Sequence, residues 1–101
     1  MQGTDALTEV LNKISTFNGY LSTWESEVER QSLNNATVGE LTSLLDWIWR
    51  QHNTLRVSRE LARNDPQRQA ATDGVLRDLD RLESRIRGLS AKNVQKGGRG
   101  A

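Results

Sequence analysis

A regularly spaced set of basic side chains is the part of this sequence best suited to bind a charged ligand. The set has intervals of four, three and four residues and consists of His52, Arg56, Arg59 and Arg63. In a helix, this spacing forms one stripe of about three turns, or roughly 16 Å. Guanidinium groups bind phosphate well, so the stripe predicts a face that follows a phosphate backbone. Amide and hydroxyl side chains flank it: Gln51, Asn53, Thr54 and Ser58.

The geometry of nucleic acids favours duplex RNA as the ligand of such a stripe. The major groove of A-form RNA is too narrow and deep to admit a helix, so a protein must lie across the grooves and contact phosphates and 2′-hydroxyls. A twofold dimer would repeat the stripe and lengthen the contact. The alternative is structural: these long side chains surround the end of a helical bundle, and Glu60 pairs with Arg56 or Arg63.

Catalytic and metal-binding patterns are absent from the sequence. His52 is the only histidine and there is no cysteine, so a histidine cluster and a thiolate metal site are excluded. Carboxylates that lie two residues apart, such as Asp78 and Asp80 or the set Glu25, Glu27 and Glu29, point to different faces of a helix, and we interpret them as solvated charges. We therefore predict no enzyme activity and no cofactor.

The composition indicates one small domain with an uneven distribution of charge. The chain has 101 residues, of which 35% are hydrophobic and 27% charged, and its net charge is +1. Residues 1–46 carry seven acidic and two basic side chains, whereas residues 47–101 carry twelve basic and six acidic ones. Such a chain can offer a basic surface to a polyanion. The missing cysteines and the lack of an apolar run of about 18 residues predict a soluble, cytoplasmic protein.

Two long amphipathic helices are predicted from the apolar periodicity. The first spans about residues 5–31, with Thr4 or Asp5 as its cap, and its stripe is Leu7, Val10, Leu11, Ile14, Phe17, Leu21, Trp24 and Val28. The second spans about residues 37–64 and begins with a capping box formed by Thr37 and Glu40. The two have similar lengths and a short connection, which predicts a long antiparallel helical hairpin.

The rest of the chain is predicted to hold a shorter helix and a tail. Asp65 and Pro66 suit the start of a short turn, and Asp73-Gly74 predicts a kink before a third helix over about residues 75–89. Residues 93–101 have no apolar pattern and several glycines, which predicts a disordered basic tail. Residues 1–92 would thus form a single helical domain.

The tryptophans bear on both packing and binding. Trp24 lies on the apolar stripe of the first helix, and Trp47 and Trp49 lie on opposite sides of the stripe of the second. This arrangement predicts burial over a wide arc, as in a dimeric bundle. Base stacking is the alternative role for Trp49, and it requires unpaired bases.

One stretch of the chain combines these features: Val38, Leu41, the run from Leu45 to Trp49, Gln51-His52, Arg56, Ser58, Arg59, Pro66 and Ala70-Ala71. With these residues, the segment from Thr37 to Ala71 resembles the central helix of the alphanodavirus RNA-silencing suppressors. The helices before and after it are laid out similarly.

The resemblance implies an all-α homodimer whose hairpins form a four-helix bundle. It implies sequence-independent binding of double-stranded RNA, which shields the duplex from Dicer and from small-RNA loading in the host cytoplasm, and host silencing proteins as further partners. By position, the RNA-binding residues would be Arg50, Arg56, Ser58, Arg59 and Arg63, with Gln51, His52, Asn53 and Thr54 nearby. The alternative is a helical scaffold that binds another protein and no nucleic acid.

Overall fold

The structure, a computed structural model, describes residues 6–98, and this part of the chain is all-helical. It contains α1 (Ala6–Arg30), α2 (Asn35–Leu61) and α3 (Pro66–Gly98), and no strand. The prediction of an all-α fold is therefore confirmed. The three helices form an elongated bundle of 55 × 24 × 17 Å.

The order of side-chain contacts gives the direction of each helix. From α1 to α3 the contacts advance together, since Asn18 bonds Arg85 and Glu29 bonds Lys92. From α2 to α3 they run in opposite directions, from His52 with Asp80 to Arg59 with Asp73. Helices α1 and α3 are therefore parallel, and α2 is antiparallel to both.

The core is built from apolar residues of all three helices and of the α1–α2 connection, and five residues of the predicted α1 stripe belong to it. It contains Leu7, Val10, Ile14, Leu21, Val28, Leu33, Leu41, Leu44, Ile48, Leu55, Val75, Leu79, Leu82, Ile86 and Leu89. Burial of each large aliphatic side chain contributes about 1.5–3 kcal/mol. Three members of the predicted α1 stripe are less buried, because Phe17 and Trp24 lie only partly in the core and Leu11 is exposed. The position of Trp24 on the α1 stripe predicted a buried side chain, whereas the structure shows Trp24 only partly buried.

The start of α2 differs from the predicted capping box. The cap is Asn34, whose side chain accepts a hydrogen bond of 2.8 Å from the backbone N–H of Thr37. The helix begins at Asn35, two residues before the predicted start, because the Asn34 amide oxygen meets the free N–H groups first. At the start of α3, Asp65 acts as predicted and accepts from the backbone N–H of Arg68 at 3.1 Å. The predicted caps Thr4 and Asp5 lie outside the described residues.

The third helix is the longest of the three, so the prediction of a shorter helix over residues 75–89 after a kink at Asp73-Gly74 was wrong. α3 runs without interruption for 33 residues, and no described glycine has a positive φ. Its first turns are held against α2: Thr72 is fully buried, and the Gln69 side chain donates to the Arg59 carbonyl at 3.3 Å. These tertiary contacts outweigh the weak helix propensity of glycine at this point.

The predicted disorder of residues 93–98 was also wrong, since α3 continues to Gly98. Asn93 accepts a hydrogen bond of 2.7 Å from the backbone N–H of Leu33, which belongs to the α1–α2 connection. Lys96 donates to the backbone carbonyl of Glu29 at 2.6 Å. These partners lie 60 and 67 residues away in the sequence, where local patterns give no sign of them. Residues 99–101 of the predicted tail lie outside the described residues.

Within the described residues, none of the helices is both long enough and apolar enough to cross a bilayer.

Candidate nucleic-acid interface

The predicted basic stripe lies on the side of α2 that faces α3, and Arg59 is committed to an ion pair there. Its Nε donates to Asp73 Oδ1 at 2.6 Å, and its Nη2 donates to Asp73 Oδ2 at 3.2 Å. The hydrogen bond from Arg59 lowers the pKa of the Asp73 carboxyl from its ordinary value. A bidentate pair of this kind fixes the guanidinium, so Arg59 links two helices.

His52 also faces α3. Its Nε2 lies 3.0 Å from Asp80 Oδ1, and its side chain is partly buried. Both groups had been assigned other roles by the sequence: His52 to an RNA face and Asp80 to solvent. The structure places them together because α2 and α3 are antiparallel and the loop of residues 62–65 sets their register.

Arg56 and Arg63 are exposed. Arg56 lies on α2, whereas Arg63 lies beyond the end of this helix at Leu61, in the connection of residues 62–65. The predicted end of the second helix near residue 64 was therefore wrong. Within residues 6–98, neither guanidinium has an ion-pair or hydrogen-bond partner. The predicted pairing of Glu60 with either arginine is therefore not observed, and both groups remain available to a ligand.

The other predicted residues lie on three sides of α2. Arg50 is on the solvent side and pairs with Asp46 at 3.1 Å, an exposed contact. Gln51 and Thr54 line a groove against α1, Asn53 lines a groove against α3, and Ser58 is half-buried. The nine predicted residues therefore do not form one continuous surface.

The α1–α3 contact takes up further basic side chains, and Arg85 is its centre. This guanidinium donates to both Glu25 carboxylate oxygens at 2.8 Å, to the Asn18 side chain at 2.6 Å and to the Ser22 hydroxyl at 2.8 Å. Chiefly through the hydrogen bond from Arg85, the pKa of Glu25 is lowered. The interpretation of Glu25 as a solvated charge was wrong.

A groove between α2 and α3 contains a residue that the sequence argument missed. It has a volume of about 330 Å³, and Trp49, Asn53, Arg56 and Arg87 contribute to its walls. No role was predicted for Arg87 from the sequence. The sequence signal that could have found it is weak, because only the antiparallel pairing of α2 and α3 brings it beside Trp49.

Among the described residues, no group of three or more His, Asp or Glu side chains is arranged to hold a metal ion. No protein-family model, curated protein or solved structure matches this chain.

Proposed function

We propose that the protein is a homodimer that binds double-stranded RNA without sequence preference, along the exposed side of α2. The observation that carries the proposal is the pair of unpartnered guanidinium groups of Arg56, on α2, and Arg63, in the connection that follows this helix. The exposed side chain of Asn53, which lines the same groove as Arg56, adds an amide to this surface. Phosphates and 2′-hydroxyls are the groups that a helix lying across A-form RNA can reach.

Dimerisation is part of the proposal because one α2 presents a short basic surface. An aromatic surface on the α1–α2 side supports it: Phe17 packs edge-on against Trp47 at 5.1 Å, and Tyr20 stacks on Trp24 at 5.9 Å. Tyr20 remains 52% exposed. A second copy that packs α1 and α2 against this surface would form a four-helix bundle, and a stable interface needs about 800 Å² from each partner.

The biological role that we propose is suppression of RNA silencing. It rests on the resemblance of segment 37–71 to the alphanodavirus suppressors and on the chemistry of coating a duplex. A protein that occupies the grooves and phosphates of duplex RNA would block Dicer and small-RNA loading in the cytoplasm.

A gel shift tests the proposal at about 50 and 200 mM salt. It compares an RNA duplex of about 25 base pairs, a DNA duplex of the same sequence and single-stranded RNA. The RNA duplex has about two A-form turns, which is the length that a dimer would need. The variant Arg56→Ala/Arg63→Ala should weaken RNA binding by about tenfold or more and reduce the salt dependence by about two charges per protomer. The matched control is Arg77→Ala/Arg81→Ala, which removes the same charge from exposed positions of α3.

The absence of a shift at micromolar protein would reject RNA binding, and equal losses in the two double variants would reject the α2 surface. Light scattering at the same concentrations tests dimerisation, which requires a mass of twice 11.4 kDa.

A protein-binding scaffold is the second candidate, and the ion pairs of Arg59 and Arg85 favour it. These pairs show that much of the basic charge stabilises the bundle itself. In that case the aromatic surface of α1 and α2 would bind a different protein. This candidate predicts no binding to any of the three nucleic acids.

A further inference from the structure

Trp49 is exposed in a way that packing does not explain. Its side chain is 66% exposed, whereas Phe17, Tyr20, Trp24 and Trp47 contact one another in the aromatic surface of α1 and α2. Trp49 lies on the other side of α2, at the groove that faces α3. A large indole with one open face is a stacking surface for a flat ligand.

The charged groups around Trp49 match a phosphate. Arg56 is exposed, and Arg87 is held through its Nε by Glu83 Oε2 at 2.8 Å, which leaves the other nitrogens of this guanidinium as possible donors. Of the acidic side chains on the groove, Asp80 is engaged by His52 and Glu83 by Arg87. The groove therefore joins an aromatic face to two guanidinium groups, and Asn53 also lines it.

We propose that this groove binds an unpaired nucleotide of an RNA duplex, with the base stacked on Trp49 and the phosphate bound by Arg56 and Arg87. The inference rests on the proposed function, and it narrows the preferred ligand to duplexes with unpaired ends. Bases inside a duplex are stacked on their neighbours, so their faces are closed to an indole on the protein surface. An unpaired overhang has a free base face and a flexible backbone that can enter a groove.

The test compares a blunt RNA duplex with the same duplex carrying two-nucleotide 3′ overhangs. We expect the protein to bind the overhang duplex about tenfold more tightly than the blunt duplex, the scale of one stacked base. Trp49→Ala should remove this preference and leave binding to the blunt duplex unchanged, while Trp49→Phe should retain most of the preference. Val57→Ala is the matched control, since Val57 is an exposed apolar residue on the same helix at 60% exposure.

Tryptophan fluorescence provides a second readout that does not depend on affinity. The overhang duplex should quench emission of the unmodified protein more than the blunt duplex does, and Trp49→Phe should remove the difference. Circular dichroism of each variant checks that the helices are intact.

The outcomes separate the two proposals. If the blunt duplex binds but the overhang gives no advantage, the groove proposal is rejected and duplex binding stands. Equal weakening of both duplexes by Trp49→Ala also rejects it, because Trp49 would then belong to the general RNA surface. If neither duplex binds, both proposals fail.

Discussion

The two surfaces of α3 are joined to their neighbours by opposite arrangements of charge. Where α3 meets α1, the basic side chains Arg85 and Lys92 belong to α3, and their acidic partners Glu25 and Glu29 belong to α1. Where α3 meets α2, the acidic Asp73 belongs to α3 and its basic partner Arg59 belongs to α2. Part of the charge difference between the two halves of the sequence is therefore used in ion pairs between helices. The surface that remains for a polyanion is less basic than the sequence alone suggests.

The difference between the two contacts follows from how the helices are connected. A loop of four residues, 62–65, joins α2 to α3 and limits how far one can slide along the other. Parallel helices α1 and α3 have no such direct connection, so side chains must set their register. The larger hydrogen-bond network of Arg85, compared with the single bidentate pair of Arg59, is consistent with that requirement.

The largest effect is expected from the apolar face of α3 that both contacts share. Leu82 is 1% exposed, and Leu82→Ala should lower the free energy of unfolding by about 2–5 kcal/mol, through lost burial and a cavity. Leu61→Ala makes the same chemical change at a residue that is 84% exposed, and should alter stability by less than about 0.5 kcal/mol. Urea unfolding measures both. Similar losses would contradict the assignment of the core.

The Arg85 network should give the next largest effect. Arg85→Gln removes charged hydrogen bonds to three α1 side chains, and we expect a loss of about 1–2 kcal/mol after allowing for partial solvent exposure. The control is Arg81→Gln, one turn earlier, where the arginine makes only an exposed contact with Asp78 at 3.3 Å.

A double-mutant cycle with Glu25→Gln should assign most of the loss to the Arg85–Glu25 pair. If the coupling energy is near zero, register between α1 and α3 depends on apolar packing alone.

Acid should weaken both contacts, and the α1–α3 contact more. The hydrogen bonds from Arg85, Lys92 and Arg59 hold the pKa values of Glu25, Glu29 and Asp73 below their ordinary values of 4.5, 4.5 and 3.8. The unfolded state then binds protons first as pH falls, so stability that is present above about pH 4.5 is lost progressively below it. Thermal unfolding between pH 7 and pH 3 measures this loss.

Arg85→Gln should flatten that pH profile, because Glu25 would lose the main cause of its lowered pKa. Arg81→Gln should leave the profile unchanged. A profile that is equally steep in Arg85→Gln would mean that other carboxylates govern the acid response.

Helical periodicity was enough to predict the core, because it depends only on which residues share a face. Ile14, Leu21 and Val28 were all assigned correctly in this way. Periodicity does not say which face meets which helix, so the pairing of Arg59 with Asp73 could not be predicted, and Arg59 was assigned to RNA. The same limit explains why the helical end of α3 was not predicted. There the Asn93 side chain accepts a hydrogen bond from Leu33, which is distant in the sequence.

A substitution at Gly74 tests whether α3 is one unbent helix in its contacts with α1 and α2. A side-chain methyl at this position would meet no heavy atom within 4 Å, and the backbone is helical. Gly74→Ala should therefore raise the free energy of unfolding by about 0.5–1 kcal/mol, because alanine has a higher helix propensity and a less flexible unfolded state. Gly88→Ala, where the space is also open, is the control and should behave alike. Destabilisation by Gly74→Ala alone would indicate that α3 bends there in solution.

The smallest effect on stability is expected from substitution of Arg56. Comparison of Arg56 with Arg59 distinguishes a residue available for binding from one that stabilises the fold, within the same stripe of α2. Arg59→Ala breaks the pair with Asp73 and should lower the melting temperature measurably, whereas Arg56→Ala should change the free energy of unfolding by less than about 0.5 kcal/mol. Duplex RNA affinity should show the reverse order, since Arg56 is open to a phosphate and Arg59 is occupied. The two variants are matched controls for each other, with the same substitution three residues apart.

A loss of RNA affinity in Arg59→Ala without a loss of stability would contradict this division. Arg59 would then leave Asp73 when RNA binds, and the whole stripe would form one surface in the complex. Equal stability losses in the two variants would instead mean that Arg56 also stabilises the contact of α2 with α3. The order of the two effects therefore decides how much of the stripe is available to RNA.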